Sequence, residues 1–119
     1  MNYMLLITET AEGFADRHNE NAPSYWSGWM TYSAAIAEAG IFVSGAGLAG
    51  PETATVLRFD TKGQRVQDGP FIDSKEQVGG FFIIDVPHLD AALEWARKAP
   101  ITRGGSVEVR PCLPPPPRD

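Results

Sequence analysis

The sequence predicts an α+β domain, in which an antiparallel sheet carries two helices on one of its faces. Three observations carry that prediction. Short apolar runs of strand length alternate with stripes of helical period, in the order β-α-β, hairpin, β-α-β. A turn signal, Asp60-Thr61-Lys62-Gly63, separates two strand-forming runs in the middle of the chain. Near the end, Ser106-Val107-Glu108-Val109-Arg110 alternates polar and apolar residues, as a strand with one face in a core must. The order is that of the split β-α-β, ferredoxin-like arrangement with an added hairpin.

Residues 3–8 form a short apolar run, expected as a strand buried on both faces. Residues 9–22 are polar and read as a loop or frayed turn. Ser24 offers an N-cap after Pro23. Trp26, Trp29, Met30, Ser33, Ile36 and Ala37 then fall on one helical stripe, and Gly40 stops the helix. Ile41-Phe42-Val43 opens a second strand. Residues 54–59 and 64–67 flank the turn, where Gly63 supplies the left-handed residue. Residues 81–86 make a central strand, and Leu89, Ala92, Leu93 and Ala96 give the next helix its buried stripe, with Asp90 at its positive end. Pro100 ends that helix.

At 119 residues the chain is one domain, expected over residues 1–111, with a proline-rich tail over 112–119 that cannot join a sheet. An apolar fraction of 43% and a charged fraction of 21% are those of a globule. The net charge of −5, with no basic cluster, argues against direct nucleic-acid binding. Cys112 is the only cysteine, so no intrachain disulfide or cysteine metal cluster forms, and a cytoplasmic location is expected. The first nine residues have no basic n-region and no run long enough for a signal peptide, and nothing approaches a membrane span. Two helices cover one sheet face only, so a homodimer is expected to cover the other.

The segment Asp68-Gly69-Pro70-Phe71, followed by Lys75-Glu76 and Gly79-Gly80-Phe81, resembles the DGPF group of the YCII-related family. The resemblance extends to Tyr3-Met4-Leu5-Leu6-Ile7, to Leu93-Glu94-Trp95-Ala96 and to residues 103–111, nearly the whole chain except the tail. It implies a dimeric α+β barrel, with two ferredoxin-like sheets packed face to face. The wider superfamily includes a lactone dehalogenase, with a proposed catalytic His–Asp pair. Trp29 stands at or near the position of that histidine, and Lys98-Ala99-Pro100-Ile101 where the aspartate would follow, so that chemistry does not carry over. The DGPF group is also associated with alternative sigma factors through gene neighbourhood, which implies a regulatory setting and a possible regulatory protein partner.

Several residues are candidates for chemistry. Asp68 ends a strand before a Gly-Pro turn, where an apolar cavity lined by Trp26 or Trp29 would raise its pKa toward general acid or base use. Its structural alternative is a turn aspartate capping the Gly69-Pro70 backbone. Lys75 and Glu76 read either as a polar cluster at a pocket mouth or as a solvated run. Arg103, before Gly104-Gly105, reads as a guanidinium offered to a carboxylate ligand or as an interface salt bridge. Gly45-Ala46-Gly47-Leu48-Ala49-Gly50 fits G-x-G-x-x-G, but Pro51 and a strand follow instead of a helix, so it reads as a connection and not a dinucleotide site. His18 and His88 lack a third ligand, and neither a metal nor a cofactor is expected. Two functions remain: a sensor or accessory protein binding a small anionic molecule, or an enzyme using Asp68 in lyase- or isomerase-like chemistry on a small organic acid.

Overall fold

The computed structural model describes residues 1–68, 76–101 and 104–116. Its main sheet has four strands: β1 (Asn2–Thr10), β2 (Phe42–Gly47), β5 (Glu76–Asp85) and β6 (Ser106–Pro111). Their order is β2-β5-β1-β6, and each neighbouring pair is antiparallel. Three helices accompany it, α1 (Ala11–Ala15), α2 (Ala22–Glu38) and α3 (Leu89–Arg97), so the fold is a mixed α+β one with antiparallel sheets. None of the described helices is long and apolar enough to cross a membrane.

The loop expected over residues 9–22 is corrected at its start. β1 runs on through Glu9 and Thr10, which pair with Gln77 and Glu76 on β5. The Thr10 hydroxyl then accepts the Gly13 N–H at 3.2 Å, which starts the short helix α1. The Ser24 cap is also corrected: α2 begins three residues earlier, with Asn21 at its N-cap. Pro23 fits the first turn because an N–H there has no helical partner to lose. Asn21 gives its side chain to Asp16, whose buried carboxylate accepts from Asn19 at 3.1 Å and Asn21 at 3.0 Å. That knot fixes the angle between α1 and α2.

Period two decides what β1 buries. Tyr3, Leu5, Ile7 and Glu9 point at the helices and are buried, whereas Met4, Leu6 and Thr8 face the other side and keep part of their exposure. The expectation of burial on both faces is therefore corrected: Met4, Leu6 and Thr8 are only partly covered, and among the described residues no helix lies over that face. The core joins Leu5 and Ile84 of the sheet to Tyr32 and Ile36 of α2 and Ala92 of α3. Tyr32 also donates its hydroxyl to the Trp95 carbonyl at 2.8 Å, locking α2 to α3. His88 caps α3 by accepting the Ala91 N–H at its Nδ1, 3.2 Å away. Leu89, assigned to the buried stripe by its spacing, is exposed instead, because it lies in the first turn.

The central hairpin stands apart. β3 (Thr55–Asp60) and β4 (Gly63–Asp68) pair only with each other, as a separate two-stranded sheet. Gly63 adopts the positive φ, +117°, that its turn requires. Phe59 and Val66 on this hairpin are 71% and 70% exposed.

Candidate functional site

A cavity of about 810 Å³ lies between α2 and the β2–β5 side of the sheet. Its cause is in the sequence. Trp26, Trp29 and Met30 on α2 look down on β2, and β2 answers with Gly45-Ala46-Gly47. Over residues 45–47 the strand bears nothing beyond a methyl, so the large residues of α2 leave a hollow there, bordered by Phe42 at the start of β2. The G-x-G spacing is therefore neither a dinucleotide loop nor, over residues 45–47, a connection; it is strand, and it makes room.

The polar end of the cavity is built by Glu9, Arg17 and Tyr25, which the sequence reading passed over. Glu9 is 7% exposed and its carboxylate lies 3.1 Å from the buried Arg17 guanidinium. Tyr25 donates its hydroxyl to that carboxylate, 2.8 Å from either oxygen, and accepts from Arg17 Nε at 3.0 Å. Arg17 also donates to the Leu48 carbonyl at 2.6 Å and the Gly79 carbonyl at 3.2 Å. The rings of Phe14, Tyr25 and Trp26 surround its Cζ at 4.9, 5.8 and 5.7 Å. Trp26 in turn donates Nε1 to the Arg17 carbonyl at 3.2 Å.

The Gly79-Gly80 pair is required by this arrangement. The register of β1 against β5 slips between Ile7–Gly80 and Thr8–Val78, so Gly79 is the extra residue of a bulge. The bulge turns the Gly79 carbonyl to Arg17 and to the Leu48 N–H, 2.9 Å away. A Cβ on Gly79 would meet Glu9 Oε1 at 2.5 Å, and one on Gly80 would meet the Ala46 carbonyl at 2.8 Å. No side chain fits at either position.

Burial dominates the tyrosine chemistry. It raises Tyr25 from its ordinary value of 10.0 to about 12; the Arg17 hydrogen bond lowers it and the Glu9 carboxylate raises it again. Burial alone carries Tyr32 to about 12. Tyr25 is thus a neutral hydrogen-bond donor to Glu9 at physiological pH.

Among the residues singled out from sequence, the structure brings Trp26 and Trp29 together on the cavity wall. Asp68 ends β4 opposite Thr55, exposed and not among the lining residues. Glu76 is on β5 but also outside the lining, and accepts from Thr8 at 3.1 Å and Ser106 at 3.0 Å. Lys75 and Arg103 lie outside the described residues. Among the described residues no group of three His, Cys, Asp or Glu side chains is placed to hold a metal. One signal in the sequence does point to Glu9. It continues the alternation of Tyr3, Leu5 and Ile7, and so falls on the buried face.

These features define a small antiparallel α+β protein with an aromatic cavity that has an internal ion pair at its polar end. The model of the YCII-related domain matches residues 1–115, and the chain belongs to that family. It is also 47% identical over 62 residues to an uncharacterised protein of Rhizobium meliloti (strain 1021). That match covers 49% of this chain and 48% of the relative, so the chain spans about half the length of the curated relative it matches.

Removing Arg17 leaves Glu9 buried without its cation. Arg17→Met is expected to cost about 3–5 kcal/mol in urea denaturation, and Glu9→Leu/Arg17→Met to cost less than the single change. The tyrosines set a second expectation. Below pH 10 both are neutral in the folded and unfolded chain; between 10 and about 12 only the unfolded chain releases their protons. Stability therefore falls across that window and is unaffected by them below it, and Tyr25→Phe flattens the fall when unfolding is measured against pH.

Proposed function

We propose that the protein binds a small organic molecule in the cavity beneath α2, and that it does so as a homodimer. The observation that carries the binding reading is the unfilled space itself. Its volume of about 810 Å³ is in the range of small-molecule sites, about 300–1,000 Å³, and its wall is aromatic with a few polar groups at one end. Met30, 72% exposed, stands at the rim, where a ligand would cover it. Sensing or an accessory role in a regulatory setting suits this better than catalysis. The Glu9–Arg17–Tyr25 cluster spends its hydrogen bonds internally and Asp68 is not on the cavity wall. An acid–base role for Asp68 in lyase- or isomerase-like chemistry would need a second copy to carry its hairpin to this site.

The dimer is supported by what the single chain leaves uncovered. Leu6 pairs with Phe81 and Met4 with Ile83 across the sheet face opposite the helices, an apolar stripe with part of its surface open. The strand order β2-β5-β1-β6 supports reading the sheet as ferredoxin-like, and two such sheets packed face to face would make a dimeric α+β barrel.

Two measurements test these readings. The uncharged dye N-phenyl-1-naphthylamine should bind the wild type saturably, with one site per chain, and should fail to bind Ser33→Trp, in which an indole occupies the hollow while circular dichroism is retained. Saturable binding that survives Ser33→Trp would place the site elsewhere. In sedimentation the wild type should run as a dimer, and Leu6→Glu as a folded monomer; a monomeric wild type would end the dimer reading.

A further inference from the structure

We infer that the small molecule taken by this cavity is a short peptide in extended form, held as an added antiparallel strand on the open edge of β2 with alternate apolar side chains in the hollow. The inference rests on the cavity being a binding site. β2 ends the sheet, and among the described residues no strand lies beyond it. All of its residues except Gly45 are exposed. The two edges of the sheet differ in kind. β6 carries Glu108 and Arg110 and ends on Pro111, features that keep further strands from adding. β2, Phe42-Val43-Ser44-Gly45-Ala46-Gly47, has neither charge nor proline. Its register shift lies between Phe42 and Ser44, which leaves residues 44–47 regular.

The register sets what that edge offers. Leu48 donates its N–H to the Gly79 carbonyl at 2.9 Å, so by alternation Ala46, opposite Phe81, also faces β5. Gly45 and Gly47 then turn their N–H and C=O groups away from β5, toward the open side. These partial charges, alternating along the edge, are complemented in series by another extended amide chain. The same two glycines lie on the helix side of the sheet. Gly45 pairs with Phe82, which stacks on Trp29, and Gly47 pairs with Gly80, the partner of buried Ile7. In an antiparallel pair the residues directly opposite share a face, with Cβ atoms about 5 Å apart. Residues of an added strand opposite Gly45 and Gly47 would therefore hydrogen-bond to the edge and send their side chains under α2, into space that glycine leaves open. Trp26, Met30 and Phe42, each about half exposed or more, border that space. Glycine within a strand is one mark of a site where a second backbone approaches closely.

Capped tripeptides test this by calorimetry on the wild type. Acetyl-Phe-Ala-Leu-amide should bind, its first and third residues opposite the two glycines, and acetyl-Ser-Ala-Ser-amide, with the same backbone, should not. N-methylation of the leucine removes a donor aimed at β2 and should weaken binding about tenfold or more; N-methylation of the alanine, whose N–H points to solvent, should leave it unchanged. In the protein labelled with ¹⁵N, the Gly45 and Gly47 amides should gain protection from hydrogen exchange when the peptide is added. Ala46, already facing β5, should not. If N-phenyl-1-naphthylamine binds and no peptide does, the ligand class is wrong and the cavity stands; if neither binds, the cavity reading fails and this inference with it. Equal binding of the two N-methylated peptides, equal binding of the serine peptide, or no added protection at Gly45 and Gly47 would each overturn the inference. Protection of those amides in the free protein that disappears on dilution to the monomer would overturn it too, by giving the edge to a second copy.

Discussion

The structure depends first on the burial of one guanidinium. Arg17 links four pieces of chain that are distant in sequence: Glu9 on β1, Tyr25 on α2, Leu48 after β2 and Gly79 on β5. Desolvating such a charge costs several kcal/mol, which a single carboxylate does not recover. Here the carboxylate is joined by two carbonyls, a phenol oxygen and three ring faces, so the hydration lost is replaced nearly group for group. The cluster fixes where α2 enters over the sheet. It also fixes the depth of the space beneath it.

That space and the hydrophobic core share α2 between them. Toward its C-terminal half, Tyr32 and Ile36 pack against Leu5 and Ile84, and all four are buried. Toward its N-terminal half, Trp26 and Met30 face the small residues of β2, and packing stops. Trp29 stands at the boundary, stacked on Phe82 on the core side and bordering the hollow on the other. The core half can hold the helix while the other half stays open, because stability is carried by residues that take no part in the cavity. Gly79 and Gly80 extend the same logic to β5, where a side chain would collide with Glu9 or with the β2 backbone.

Most of the strands and the two long helices were legible because each buries one stripe, and a stripe imposes its period on the sequence. Tyr3, Leu5 and Ile7 at period two, and Trp29 and Ile36 on one side of α2, are enough to place β1 and α2. The polar site was not legible in the same way. Glu9 and Arg17 sit among Thr10, Glu12, Asp16 and Asn19, a composition typical of solvated loops, and only tertiary contact distinguishes the buried members from the rest. Asp68, singled out by its motif, ends a strand of the separate hairpin and lies outside the cavity lining. Gly45 and Gly47 matched a phosphate-loop pattern by letter, yet their use is steric. Letters carry periodicity well, and carry cavities poorly, since a cavity is defined by what two remote segments both leave out.

The same reasoning bears on the uncovered surfaces. A two-stranded hairpin is marginal alone in water, and β3–β4 bears Phe59 and Val66 outward with no sheet neighbour. The main sheet, meanwhile, presents Leu6, Phe81, Met4 and Ile83 away from its helices. One partner laid on that sheet and embraced by that hairpin would bury both, whereas a ligand in the cavity would bury neither, since it lies on the helix side. The cavity and the uncovered apolar stripe thus lie on opposite faces of one sheet. β5 borders both: Phe82 meets Trp29 on one side, and Phe81 pairs with Leu6 across the ladder on the other. A displacement of Trp29 by ligand would reach the outer face through adjacent residues of a single strand.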